Sequence, residues 1–481
     1  MNGIPPDAFP YADWLPPSGA VREVAESGRT DDHLTERHLQ CIWSDDRLRP
    51  GGLMDDDGEP VEVIEPGRWN LEAGPDFLDA ILLVGADRRR LAGDVELHIH
   101  PRAWRQHRHH DDPNYSRVVA HVTYLPGSRA DDGLPDSVLR IALRDALRRN
   151  PAFLFEDIDL GAYPHAVIPA TPRPCALALG SDPDRAAALL LAAGRHRMEL
   201  KRQRMAALIG QRQDWRQACY EAFLAALGYK LNTRACRQVA QALPLADWPA
   251  HLEPLGHYAR LLLAAGLLPD TDRGEDEPSQ ALIRQLWDLA WRNPVPRQPA
   301  PPAWRLGALR PANHPVRRLA VAAACFGTRD PIESLWEALP FDPPDAWFKH
   351  VMQRLMQRAD LPCWHDRLTL HRRAATPGQP ALLGQSAAAV LVTNVVVPLV
   401  GCLQPTALPV LLPALPAETL SAPMRATAAH LLGRDHNPAL YGGSGLLQQG
   451  LLQIHGDFCL NAHTGCAGCT LAAALRSPPN T

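Results

Sequence analysis

In the first third of the chain, apolar and polar positions alternate with the two-residue period of half-buried strands. Beyond about residue 182 they recur at the three- and four-residue spacing of helices. His33–Asp46 carries an early helical pattern, with Leu34, His38, Cys41 and Ile42 on one side. Val61–Ile64, Phe77–Val84, Leu91–His100, Val118–Tyr124 and Val138–Leu143 read as strands. Pro101 opens a short helix to about His110, because a proline is tolerated in the first helical turn. The order is helix, three strands, helix, strand. Asp87 and the run Arg88–Arg90 form a polar turn between the second and third strands, so these are expected to pair as a hairpin. That pairing sets residues near Asp76 beside Glu96.

The helical part reads as Ala- and Leu-rich segments at Ala186–Ile209, Trp215–Leu227, Thr233–Leu243, His257–Ala265, Gln280–Ala290, Val316–Phe326 and Ile332–Ala338. Pro-rich connectors such as Asn293–Pro302 separate them, and no fixed repeat length emerges. The expected organisation is an irregular arm over residues 1–30, an α/β domain over 31–160 and an irregular all-α domain over 161–481 ending in a cysteine cluster.

Composition changes this picture little. The 481 residues are 46% apolar and 21% charged, which is ordinary for a globular protein. The formal net charge of −4 supports no global attraction to a polyanion. Only Lys201, Lys230 and Lys349 are lysines among the 49 basic residues, a bias expected from genomic base composition. Residues 1–30 lack the apolar core of an export signal. The most apolar run, Ala387–Val400, holds Asn394 and Pro398 and is read as a buried helix too short for a bilayer. A cytoplasmic location without a membrane partner is the expectation. In such a compartment clustered cysteines favour metal binding over disulfides.

The chemistry concentrates between residues 74 and 124. Side chains two apart on a strand share a face, so Asp94, Glu96, His98 and His100 are expected to line one side of the third strand. Val95, Leu97 and Ile99 line the other and pack on a helix. Carboxylates crowded on one face repel each other, and a cation relieves the repulsion. Hard oxygen ligands suit Mg2+ or Mn2+, which acidify bound water and stabilise charge on a phosphoryl group. Asp76, across the hairpin, joins Glu96 as a candidate ligand. His98 is the candidate for orienting the attacking water, since a neutral imidazole can take a proton near pH 7. Asp94 and His107 are further candidates. His107 and His110, three apart, are expected to share a helix side, with His109 and His110 more in solvent. His121 alternates within the fourth strand as a core histidine.

Pro75-Asp76 followed by Glu96-Leu97-His98, within that order of elements, resembles the PD-(D/E)XK nuclease superfamily. The resemblance implies a restriction-endonuclease-like α-β-β-β-α-β core, metal held by Asp76 and Glu96, and hydrolysis of a phosphodiester. The chain departs from the pattern at His98, where lysine is usual, and residues 1–200 contain no lysine at all. Several separated strings also resemble a bacterial family defined as a domain of unknown function. They are Gly74–Phe77, the stretch beginning Gly93-Asp94-Val95-Glu96, Trp104–Val122, Leu227–Asn232, Arg310–Ala320 and Gln448–Cys459. That likeness runs through nearly the whole chain from about residue 33.

Cys459, His463, Cys466 and Cys469 have the spacing of a closed tetrahedral Zn2+ site, with Gly465 and Gly468 permitting tight turns. A second arrangement uses Cys459, Cys466, Cys469 and the distant Cys175, with His463 a bystander. The nuclease resemblance implies an iron–sulfur cluster as the other occupant, since some members hold one on a split cysteine set. Arg195, Arg197, Lys201, Arg202, Arg204, Arg212 and Arg216 form a basic segment that could follow a nucleic-acid backbone or simply be a solvated face. Three functions stay open at this point. They are a metal-dependent nuclease, a non-catalytic nucleic-acid-binding or assembly protein with a structural metal, and a metallohydrolase of another substrate using the histidines.

Overall fold

The computed structural model describes residues 11–15 and most of 34–476. The main stretches outside the description are 1–10, 16–33, 71–73, 164–171, 375–380, 460–465 and 477–481. The chain divides into two compact units. One gathers Pro10–Asp182, Pro423–His436 and Ile454–Thr481, and the other Met1–Phe9, Pro183–Ala422 and Asn437–Gln453. The carboxy-terminal cysteine segment therefore belongs to the same unit as the sheet.

The first unit is built on a mixed sheet. Its strands among the described residues are β1 (Leu53–Met54), β2 (Pro60–Glu65), β3 (Arg68–Trp69), β4 (Phe77–Val84), β5 (Arg89–His98), β6 (Val118–Thr123) and β7 (Leu139–Ala142). The order is β1-β2-β4-β5-β6-β7, with β3 also paired to β4. The pairs from β1 to β5 are antiparallel, and β5–β6 and β6–β7 are parallel. β4 and β5 form the expected hairpin, with Phe77 opposite Val95. A register shift between Phe77 and Ala80 leaves Asp79 with φ of 61°, a bulge at the edge of the pair. The helix α1 (Glu36–Ser44) packs on β5. Leu39, Ile42, Trp43, Phe77, Val95, Leu97, Ala120 and Val122 are buried together there. Each such large apolar side chain contributes roughly 1.5–3 kcal/mol relative to exposure.

Part of the segment expected to be an irregular arm is ordered against the chain's other end. Tyr11–Trp14 forms a short 3-10 turn. The buried Tyr11 hydroxyl donates to Asp457 at 2.8 Å, and the Thr470 hydroxyl donates to the Trp14 carbonyl at 2.8 Å.

The second unit is helical. Its longest helix, Pro183–Arg212, is followed by Trp215–Leu227, Tyr229–Ala242, Pro254–Ala264, Glu277–Arg292, Pro315–Phe326 and Pro344–Arg358. Ile332–Leu335, expected within a longer helix, is a 3-10 turn. Gln385–Leu403 is the one helix among the described residues long and apolar enough to cross a membrane, and 67% of that window is buried inside the protein. The sequence pattern ended this helix too early. A π turn at Val392–Val396 carries it through Asn394, and Pro398 follows at the start of the next segment. Gly194 and Gly450 mark close helix approaches: a Cβ on Gly450 would lie 2.1 Å from the Leu190 carbonyl oxygen, and one on Gly194 2.2 Å from that of Leu446.

Candidate functional site

The site forms where the start of β4 meets the end of β5. The Asp76 amide donates to Glu96 Oε2 at 3.0 Å, and the Leu97 amide donates back to Asp76 Oδ2 at 2.9 Å. Gln40, on α1, donates to Asp76 Oδ1 at 2.6 Å. Asp76 and Glu96 are both buried. One turn before Gln40, Glu36 adds a third carboxylate to this region. Burial, and then Asp76 beside it, pushes the Glu36 carboxyl up to about 8. Burial also holds Glu96 well above the usual carboxylate range. Asp76 and Glu36 push it the same way, against the pull of the Asp76 amide.

Parallel pairing of β5 and β6 requires a crossover rather than a tight turn. The crossover is short here and carries the histidines back over the sheet. Its helix α2 (Ala103–Gln106) ends early, and Arg108 turns left-handed with φ of 60°. A short 3-10 turn, His109–Asp111, follows. The helical phase expected for His107 and His110 is therefore broken. His109 turns inward, with Nε2 3.2 Å from Glu96 Oε1 and its ring stacked on Tyr115 at 3.9 Å. His110 sits farther out, 3.4 Å from Asp111.

His98 is the centre of this network. Its Nε2 lies 3.5 Å from Glu96 Oε1 and 3.1 Å from His107 Nδ1. Its Nδ1 lies 2.8 Å from His121 Nε2. His98, His107 and His109 each offer a ring nitrogen within 4.8 Å of the others. Trp104 is buried over them, 5.4 Å from His109 and 5.6 Å from His121 between ring centroids. Burial and the nearby Glu96 and Asp76 charges raise the Tyr115 hydroxyl above its ordinary range.

Asp76, Glu96, His98 and His107 thus lie together. Asp94 is buried but serves the bulge: it accepts from the Asp79 amide at 3.0 Å and faces the Arg117 charge. His100 is exposed beyond the end of β5. Glu36 and Gln40 were missed, His109 was expected in solvent but faces Glu96, and His121 was read only as core. Glu36 and Gln40 had a legible signal, being polar groups four apart and therefore on one face of the expected helix.

Cysteines from two distant segments come near one another elsewhere in the same unit. Cys175 begins the helix Pro174–Leu179, which packs on Thr470–Arg476, the helix that Cys469 immediately precedes. Burial pushes the Cys175 thiol up to about 12, and the sulfurs of Cys469, Cys459 and Cys466 push the same way. Burial brings Cys459 to about 12 as well. His463, the other expected ligand, lies outside the described residues.

Much of the basic segment is committed to internal bonds. Lys201 is buried, and its Nζ donates to Asn394 at 2.6 Å and Gln449 at 2.7 Å. Arg197 donates to Gln449 and Gln453 at 3.0 and 3.2 Å. Arg202 pairs with Glu199, Arg212 with Glu221 and Arg216 with Glu333.

Among known proteins, no curated relative and no solved structure matches the chain. A family model, described as protein of unknown function (DUF2851), matches residues 36–407. That span starts at Glu36 and takes in the whole carboxylate and histidine network, as well as most of the helical unit. The chain belongs to the DUF2851 family.

Proposed function

We propose that the sheet unit is a metal-dependent hydrolase of phosphodiesters, related in design to the PD-(D/E)XK nucleases. The observation that carries this reading is the convergence of Glu36, Asp76 and Glu96 beside the buried His98. Three carboxylates in a poorly solvated place are mutually unfavourable, and a divalent cation is the simplest compensation. The order α1, β2, β4, β5, α2, β6, with the last strand parallel to β5, agrees with the α-β-β-β-α-β core of those enzymes. Asp76 and Glu96 would hold Mg2+ or Mn2+, with Glu36 in reach of the same charge. The ion would lower the pKa of a bound water and neutralise charge on the phosphoryl oxygens. His98 stands where lysine is usual. It would orient and deprotonate the water, with His121 fixing the tautomer through the 2.8 Å contact.

The test is incubation of the full chain with mixed DNA and RNA and manganese. Cleavage is expected from the wild type and none from Glu96→Ala. An inert wild type, or equal cleavage by both proteins, removes the proposal.

The histidine triad favours one other reading. Three ring nitrogens and Glu96 Oε1 are a donor set suited to Zn2+, hence to a metallohydrolase of a different substrate. Zinc-supported hydrolysis of a phosphate-free ester, abolished by His107→Ala, would select it. Nuclease activity with magnesium that survives His107→Ala would reject it.

A further inference from the structure

We propose that Cys175, Cys459, Cys466 and Cys469 bind one thiophilic metal centre that ties the helix Pro174–Leu179 to the carboxy-terminal segment of the same unit. The four residues come from two chain segments nearly three hundred residues apart, and the fold brings both segments to one place. Helices Pro174–Leu179 and Thr470–Arg476 pack together; Cys175 is the second residue of the first, and Cys469 immediately precedes the second. Cys466 and Cys469 share a turn in which the Cys469 amide donates to the Cys466 carbonyl at 3.3 Å. Arg173, two residues before Cys175, donates to Cys466 Sγ at 3.5 Å. Cys459, Cys466 and Cys469 lie near Cys175, and none of the four forms a disulfide.

Gathering one buried and three half-buried cysteines here has little packing value, because other small apolar residues would fill the same space without the risk of oxidation. A metal ion gives the arrangement a purpose. Each thiol would release its proton to solvent as its sulfur bonds the metal. A zinc ion held this way would leave a doubly negative centre, which the Arg173 guanidinium would offset in part. An iron–sulfur cluster, assembled from iron and inorganic sulfide, would use the same four thiolates. His463 is not required by either form.

The experiment is elemental analysis of the full chain purified without oxygen, with assays for zinc, iron and acid-labile sulfide. About one zinc ion per chain, or iron with matching sulfide and visible absorbance, is expected. Cys175→Ser should lose most of that metal, whereas His463→Ala should keep it. Wild-type protein with neither metal overturns the proposal, as does a Cys175→Ser variant with full metal content. If Cys175→Ser does not fold, a mercurial titration of the native wild type decides. Metal released in step with the modification of four thiols supports the site, and release after only three overturns the role of Cys175. Glu96→Ala should retain this metal, so failure here is distinguishable from failure of the hydrolase proposal.

Discussion

Asp76 and Glu96 hold each other in place through backbone amides, against the repulsion of their charges. The Asp76 amide donates to Glu96, while the amide that follows Glu96, that of Leu97, donates to the Asp76 carboxylate. The two carboxylates are therefore positioned before any ion binds, so little side-chain ordering remains to oppose binding.

Asp76→Ala should do two separable things. It leaves Gln40 and the Leu97 amide without their acceptor, which costs about 1–3 kcal/mol. It also removes a ligand. Urea unfolding of the metal-free protein reads the first effect, and manganese titration calorimetry reads the second. Asp76→Asn keeps an acceptor oxygen and should be destabilised less while still binding manganese poorly. Wild-type manganese affinity in Asp76→Asn would show that the ion sits elsewhere.

His121→Ala should loosen His98 without exposing it. Partners that orient a working histidine typically contribute about 10–100-fold in metal affinity or activity. A loss of that size is expected in the metal-dependent reaction, with partial rescue by His121→Gln, which can still accept or donate at that distance. Unchanged turnover in His121→Ala would remove the orienting role.

The helical unit should be sensitive at Gly450. A Cβ there would sit 2.1 Å from the Leu190 carbonyl oxygen, so the helices must part. Overpacking of this kind costs about 1–3 kcal/mol, and Gly450→Ala should lower the urea midpoint accordingly. Gly210→Ala is the control, since a Cβ there meets nothing within 4 Å, and it should be neutral or slightly stabilising.

Acid should weaken the helical unit through His257. Burial, reinforced by the Arg260 charge, lowers this imidazole to about 4, and its ring stacks on Trp248 at 4.4 Å. The folded state favours the neutral ring, so the unfolded chain binds the proton first as pH falls. Stability from this group is complete above about 6.5 and is lost progressively from there down through about 4. Chemical denaturation from pH 7 to 4 should show that slope, and His257→Phe should flatten it. An unaltered slope in the variant would assign the pH dependence to other groups.

The sequence by itself determined the five longer strands, though not the two-residue β1 and β3, together with the hairpin and the division into sheet and helices. Two-residue and helical periodicities record which side of each element is dry, and that is a local property. Placing Asp76 beside Glu96 followed from the same logic, since a short connection leaves a hairpin few registers. Only the tertiary structure decided the rest. His109 rather than His110 faces Glu96 because Arg108 turns left-handed, a backbone state that no periodicity encodes for an arginine. Glu36 joined the carboxylates because α1 packs on β5, and Asp94 left them because the β4 bulge claimed it. Lys201 left the surface, and the half-buried Arg197 is bonded internally, because Asn394, Gln449 and Gln453 come against their helix. Cys175 met the terminal thiols because two short helices far apart in the chain pack together. Contacts between distant segments depend on the whole packing of the unit, so a pattern read along one stretch of chain cannot contain them.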